Sequence, residues 1–319
     1  MTSPHGHSGP AAGGVAALLA GAAFVAVAAY PVAAARLRRR GDAWPWHRDA
    51  SFVAGGAALV WAVLGPLPGG PFTGHMVRHL LTGMVGPLLL VLARPLTLLL
   101  RSLAPGRGRR GLLAVAHSRI ASLLLFPPTA ALLDLGGLWL LHRTSLFAAT
   151  QHRPLLHAAV QAHVLAAGLL FTFAVCRLDP VRQGTSGFGV RGGTLLAAGA
   201  AHAVLAKSLY ATAPPGVPIA AADLHTGSQL MYYGGDLVEL ALALVLAVQW
   251  YTATGRARAR DRRRRQGEER RPRPRPGGAL GLGLDTRAPV PGGGRACRGT
   301  DGPGRTALVR WGRRSPPTA

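Results

Sequence analysis

Apolar residues run through this chain in stretches of about twenty, separated by short loops that hold most of the charge. Spans of about 20 apolar residues are what the hydrocarbon core of a bilayer demands. Seven such stretches fall at about 13–35, 51–67, 75–100, 119–141, 154–176, 193–213 and 227–251. They predict an all-α fold, a polytopic membrane bundle of seven transmembrane helices over 13–251. Residues 1–12 form a short outer N-terminus. The second stretch is short, and Pro127 with Pro128 breaks the fourth, which spanning helices tolerate. Pro154 sits at a helix start, where its missing N–H costs nothing. No Lys or Arg precedes the first stretch, so it reads as a span rather than a cleaved leader. No internal repeat is visible.

The loops orient the bundle. One set carries Arg36, Arg38, Arg39, Arg40 and Arg48; then Arg101, Arg107, Arg109, Arg110 and Arg119; then Arg177, Arg182 and Arg191. The opposite set carries only Arg143 and Arg153. Basic loops stay in the cytoplasm, so the expected topology is N-out, C-in. The formal charge of +24 says little about the membrane body, because 18 of the 36 Lys and Arg lie in residues 252–319. That segment is rich in Arg, Pro and Gly and is expected to be a disordered cytoplasmic tail. Its arginines suit anionic lipid; no nucleic-acid partner is expected. The two cysteines, Cys176 and Cys297, have neither a disulfide pattern nor a redox spacing.

Candidate chemistry gathers on one side. His75, Met76 and His79 lie at the outer start of the third span, with Met84 deeper. His142 ends the fourth span, and His152 follows in the loop. His157 and His163 lie in the outer half of the fifth. His202 is near the middle of the sixth, His225 just outside the seventh, and Met231 a turn inside it. Only His47 and His117 fall on the cytoplasmic side. His75 and His79 are four apart and share a helix face, roughly 6 Å apart in depth. Pro87 lies two turns deeper and predicts a kink. His157 and His163 are six apart, about 120° around the helix, and cannot serve one spot. Imidazole with thioether suits copper, especially Cu(I). Zinc would more often show Cys or carboxylate, and hard cations a carboxylate cage. Lys207, Asp236 and Glu239 put charge in the last two spans, where a Lys207–Asp236 ion pair is the simplest arrangement. Asp134 has no evident partner.

The series His75-Met-Val-Arg-His79, Met84, Pro87, Arg94-Pro95 and Leu98–Arg101 resembles the third-helix motif of the multi-spanning CtaG family of cytochrome c oxidase assembly proteins. Trp139-Leu-Leu-His142, His152-Arg-Pro154-Leu-Leu-His157, His163, Gly168–Phe171, Asp179-Pro180, His202-Ala203 and Tyr232-Tyr-Gly-Gly-Asp236 continue it in order, over about 51–251. Gln161 and Thr172-Phe173 depart from the pattern. The resemblance implies a non-enzymatic assembly factor, a copper chaperone supplying the catalytic subunit of a haem–copper oxidase. The expected copper ligands are His75, Met76, His79, His142, His157, His163 and His202, holding Cu(I) in transit. Two alternatives stay open. One is a bis-His haem cytochrome, for example with His79 and His157. The other is a proton- or ion-coupled transporter using Lys207, Asp236 and Glu239, though such folds commonly carry inverted repeats.

The topology is testable with reporter fusions at Gly70 and Thr254. The expected outcome is an external signal at Gly70 and a cytoplasmic one at Thr254. A cytoplasmic signal at Gly70 would refute the assignment.

Overall fold

Proline opens many of the helices, at the first helical position where an N–H has no acceptor within the helix. Pro71, Pro95, Pro127 and Pro154 begin α3, α5, α8 and α10 in this way. The structure, a computed structural model, describes residues 27–180 and 186–269. The order is α1 (27–39), α2 (Trp46–Leu64), α3 (Pro71–His79), a π-helical stretch Leu80–Val85, α4 (Gly86–Leu92) and α5 (Pro95–Ser102). There follow α6 (Arg107–Ala116), α7 (Arg119–Leu124), α8 (Pro127–Arg143), α9 (Leu146–His152), α10 (Pro154–Cys176), α11 (Phe188–Ala211) and α12 (Ala221–Glu269). No strand occurs among the described residues.

Among the described residues, four helices are long and apolar enough to cross a membrane: Pro71–Leu92, Pro154–Cys176, Phe188–Ala211 and Ala221–Gln266. Seven spans were expected, and the differences have local causes. Much of 13–35 lies outside the described residues. The α2 helix has 19 residues but opens on Trp46, His47, Arg48 and Asp49. The 119–141 stretch divides into α7 and the 17-residue α8 at Pro127. The 75–100 stretch ends at Leu92, because Arg94 adopts φ 55°, ψ 57° ahead of Pro95. Proline bars its predecessor from the right-handed helical region. At the other end, α12 runs past the expected boundary at 252 as far as Glu269. Ala, Arg and Gln are good helix formers and carry it beyond its apolar part. Residues 1–12 and 270–319 lie outside the described residues, as do those calls for an outer N-terminus and a disordered remainder of the tail.

The span from Pro71 to Leu92 is not a uniform helix. Pro87 cannot donate to the Gly83 carbonyl, and the chain answers with a π turn over Leu80–Val85. The exposed backbone is then used for packing. A Cβ on Gly168 would lie 2.1 Å from the Gly83 oxygen, so α10 approaches the π stretch backbone to backbone. Around this contact Val91, Phe171, Val175, Leu195, Val238 and Leu242 form one apolar cluster. Phe72, Met76, Leu138, Phe147, Leu205 and Met231 form a second, towards the α9 end. On α12 the buried positions Leu224, Ser228, Met231, Gly235, Val238 and Leu242 recur at spacings of four and three. The opposite face, Tyr233, Leu237, Leu240 and Leu244, is also apolar but exposed. A helix apolar on both faces belongs in lipid.

Charged groups fasten the ends of the bundle. At the α9 end, Asp223 of α12 caps α3: Phe72 and Thr73 donate backbone N–H to its carboxylate at 2.9 and 3.0 Å, and the Thr73 hydroxyl donates at 2.5 Å. At the opposite end, Asp179 accepts from the Thr97 N–H at 2.9 Å and hydroxyl at 2.6 Å, capping α5. Burial pushes the Asp179 carboxyl up from its ordinary range, and the Thr97 hydrogen bonds pull it back. Beside it, buried Arg191 donates to the Val175 and Cys176 carbonyls and to Gln249, tying α11 and α12 to the end of α10. A cation there meets the negative end of the helix dipole.

Removing the α3 cap tests this architecture. Asp223→Ala is expected to cost about 1–2 kcal/mol, read as a fall of several degrees in the thermal midpoint of detergent-solubilised protein. An unchanged midpoint would show that the cap is redundant.

Candidate metal centre

Three helices, α3, α8 and α11, carry the histidines that meet. α3 carries His75 and His79 one turn apart, on the side facing α8, α9 and α11. They do not share a partner. Each pairs with a histidine from a different helix, and the two pairs lie at different depths.

The first pair is His75 with His142. Their Nε2 atoms are 3.3 Å apart. Phe147 of α9 packs against both rings, with centroids 4.8 Å from His75 and 5.7 Å from His142. His142 is wholly buried, and its Nδ1 lies 3.0 Å from the Leu138 carbonyl one turn back. A carbonyl only accepts, so the hydrogen-bond network assigns the proton of neutral His142 to Nδ1. Its Nε2 therefore holds a bare lone pair, aimed at His75. Two nitrogens bound to one ion at 2.0–2.1 Å and a tetrahedral angle lie about 3.3–3.4 Å apart. The observed separation matches that edge once the His75 proton moves to Nδ1.

The second pair is His79 with His202, whose ring centroids are 6.1 Å apart with planes tilted by 35°. Both residues are more than nine-tenths buried. His79 Nε2 and both nitrogens of His202 have no hydrogen-bond partner in the protein. The Glu239 Oε1 atom is 3.5 Å from His202 Nδ1, within ion-pair range without forming a hydrogen bond. A cavity of about 20 Å³ opens between these groups, walled also by Met84, Asp134 and Thr172. Glycines make the room. A Cβ at Gly235 would meet the His202 ring at 2.2 Å, and one at Gly199 would meet the Glu239 carboxylate at 2.3 Å.

The other expected ligands are placed elsewhere. Met76 is fully buried in the apolar cluster with Phe72, Leu138 and Leu205, where it fills space. His163 is exposed on α10, with Nε2 3.2 Å from the Leu133 carbonyl. His157 is half-buried, and no hydrogen bond or ring contact joins it to another histidine among the described residues. Nowhere among these residues do three or more His, Cys, Asp or Glu side chains converge as one ready-made metal group. The expected set of seven is therefore resolved into two histidine pairs, one apolar filler and two histidines apart. Lys207 has no ion pair with Asp236; its Nζ lies 5.2 Å from the Tyr232 ring centroid. The cavity between His79 and His202, about 20 Å³, has room for about one water.

Sequence reading placed Glu239 only on a candidate ion path and left Asp134 without a partner; it missed both as neighbours of the histidines, and Phe147 as the wall of the first pair. Only one signal pointed to the carboxylates, namely their presence at membrane depth, where ionisable groups default to function.

The family model described as cytochrome c oxidase caa3 assembly factor matches residues 28–253, and the chain belongs to this family. Two curated relatives, uncharacterized proteins of Mycobacterium bovis and Mycobacterium tuberculosis, are each 30% identical to it over 254 residues. A similar protein of Mycobacterium leprae is 28% identical. These matches cover 73% of this chain and 38% of each relative, so the chain spans well under half their length. No solved structure matches.

The glycine opposite His202 gives a direct check on the site. Gly235→Ala is expected to overpack the cavity wall at a cost of about 1–3 kcal/mol and to lower the thermal midpoint. Gly255→Ala, on the same helix with no atom within 4 Å of its new Cβ, serves as the control and is expected to leave the midpoint unchanged or slightly raised. Equal midpoints for both variants would show that His202 is not held against α12.

Proposed function

We propose that this member of the caa3 assembly factor family is a multi-pass protein of the bacterial cell membrane that carries copper to the catalytic subunit of a cytochrome c oxidase. In this reading the seven spans run N-out and C-in, the histidine pairs lie towards the outer face, and the chain acts as a carrier rather than an enzyme. The observation that carries it is the His75–His142 pair. A fully buried imidazole, His142, and a half-buried one, His75, come from separate helices with their Nε2 atoms 3.3 Å apart, a spacing suited to one ion.

The chemistry favours Cu(I). Neutral imidazoles are good ligands for copper, and no thiolate or carboxylate competes at this pair. Two protein donors leave the ion's coordination incomplete, which suits cargo that must leave again. A third donor can come from the recipient. The pair's backing is rigid: the Leu138 carbonyl fixes the His142 tautomer and orientation, as outer hydrogen bonds do for metal-ligating histidines generally. Phe147 closes the side of the pair, limiting water and competing ligands.

The His75→Ala/His142→Ala double variant tests the proposal. It is expected to insert normally and to lower Cu(I) affinity by about tenfold or more. In the host membrane, oxidase activity should fall most under copper limitation and recover in part with added copper, because delivery is impaired rather than the oxidase's own chemistry. Unchanged copper affinity in the double variant would refute the assignment of the pair.

A further inference from the structure

We infer that the cavity between His79, His202 and Glu239 is a second cation site, one turn deeper than the first, built for a single soft monovalent ion. It deepens the reading above, on which it relies for the identity of the ion as Cu(I).

Three observations carry it. First, residues from six separate elements wall one cavity, with the two imidazoles as its only facing nitrogen donors. His79 comes from the end of α3, Met84 from the π stretch, Asp134 from α8, Thr172 from α10, His202 from α11 and Glu239 from α12. Second, the imidazoles are buried beyond nine-tenths, and three of their nitrogens have no protein partner. Buried polar atoms are ordinarily paired, so donors left open towards a shared cavity mark a place for a ligand. Third, the charge is right for a cation. Two carboxyl groups wall the cavity, and no Lys or Arg does.

The separation of the two rings leaves room for a two-coordinate ion between them. With metal–nitrogen bonds of about 2.0 Å and about 1.1–1.2 Å from nitrogen to ring centre, two imidazoles on opposite sides of one ion have centroids about 6.3 Å apart. The observed 6.1 Å lies close to this. Glu239 then stands beside the ion as its counter-charge, as an ion at membrane depth requires. The Met84 thioether is a soft neighbour in the same wall. His75 and His79 are one turn apart on α3, so the two sites are neighbours along one helix.

Silver(I), a redox-inert stand-in for Cu(I), serves as the probe on full-length protein in detergent, read as bound ions per chain by competition with a chelator. The parent is expected to bind two ions per chain. His75→Ala/His142→Ala should retain the deeper one. His202→Ala should lose the deeper one alone. Glu239→Gln, which preserves shape, should weaken only the deeper site by about tenfold or more, so the result does not depend on whether the His202 variant folds. If the parent binds one ion, lost with the first pair but unaffected at His202 and Glu239, the inference fails and the first site stands. If the ion is lost at His202 and Glu239 but kept without the first pair, the inference stands and the first assignment fails. If no ion binds, both fail.

Discussion

A polar group carried into the interior of a membrane bundle has no water to fall back on, so it must find its partner on another helix. Most of this structure's cross-helix polar geometry follows from that constraint. The N-terminus of α3 has unsatisfied N–H groups, and Asp223 satisfies two of them from 150 residues away. The last carbonyls of α10 are satisfied by Arg191 and Gln249, contributed by the next two helices. Asp179 does for α5 what Asp223 does for α3. Each bond fastens two elements that apolar packing alone would leave free to slide, since lipid is as apolar as the helix faces it covers.

The same constraint makes the exceptions informative. His142 meets it through Leu138 and His75, and becomes a fixed, correctly protonated donor. His79 and His202 do not meet it within the protein. The structure keeps space around them with Gly83, Gly199 and Gly235, residues whose missing side chains leave room for the two rings and for Glu239. A fold optimised for packing alone would have filled those positions.

The π stretch links fold to site. Pro87 costs α4 a hydrogen bond, and Leu80–Val85 rewind to absorb it. That rewinding exposes the Gly83 carbonyl to Gly168 and sets Met84 against the cavity. It begins directly after His79, so the first helix of the site ends where the irregular backbone begins. π turns are often found at functional positions for this reason: an extra residue per turn redirects the side chains that follow.

Much of this was legible in the residues themselves. The apolar runs gave helices, the prolines gave many of their starts, and the i, i+4 spacing put His75 and His79 on one side of α3. The clustering of histidines towards one side of the bundle also came from order along the chain. What the sequence could not decide was partnership. A four-residue spacing suggests one shared ligand, but neighbouring helices at two depths present one histidine each, so the motif serves two pairs. Met76 and His163 have the chemistry of ligands, yet helix rotation turns one into the core and the other outward. Asp134 and Glu239 enter the cavity only because α8 and α12 bring them there from a hundred residues apart. Residue type and local period are fixed by short-range physics that a linear sequence records. Which side chains meet depends on helix rotation, depth and crossing, and these are set by packing between segments distant in the chain.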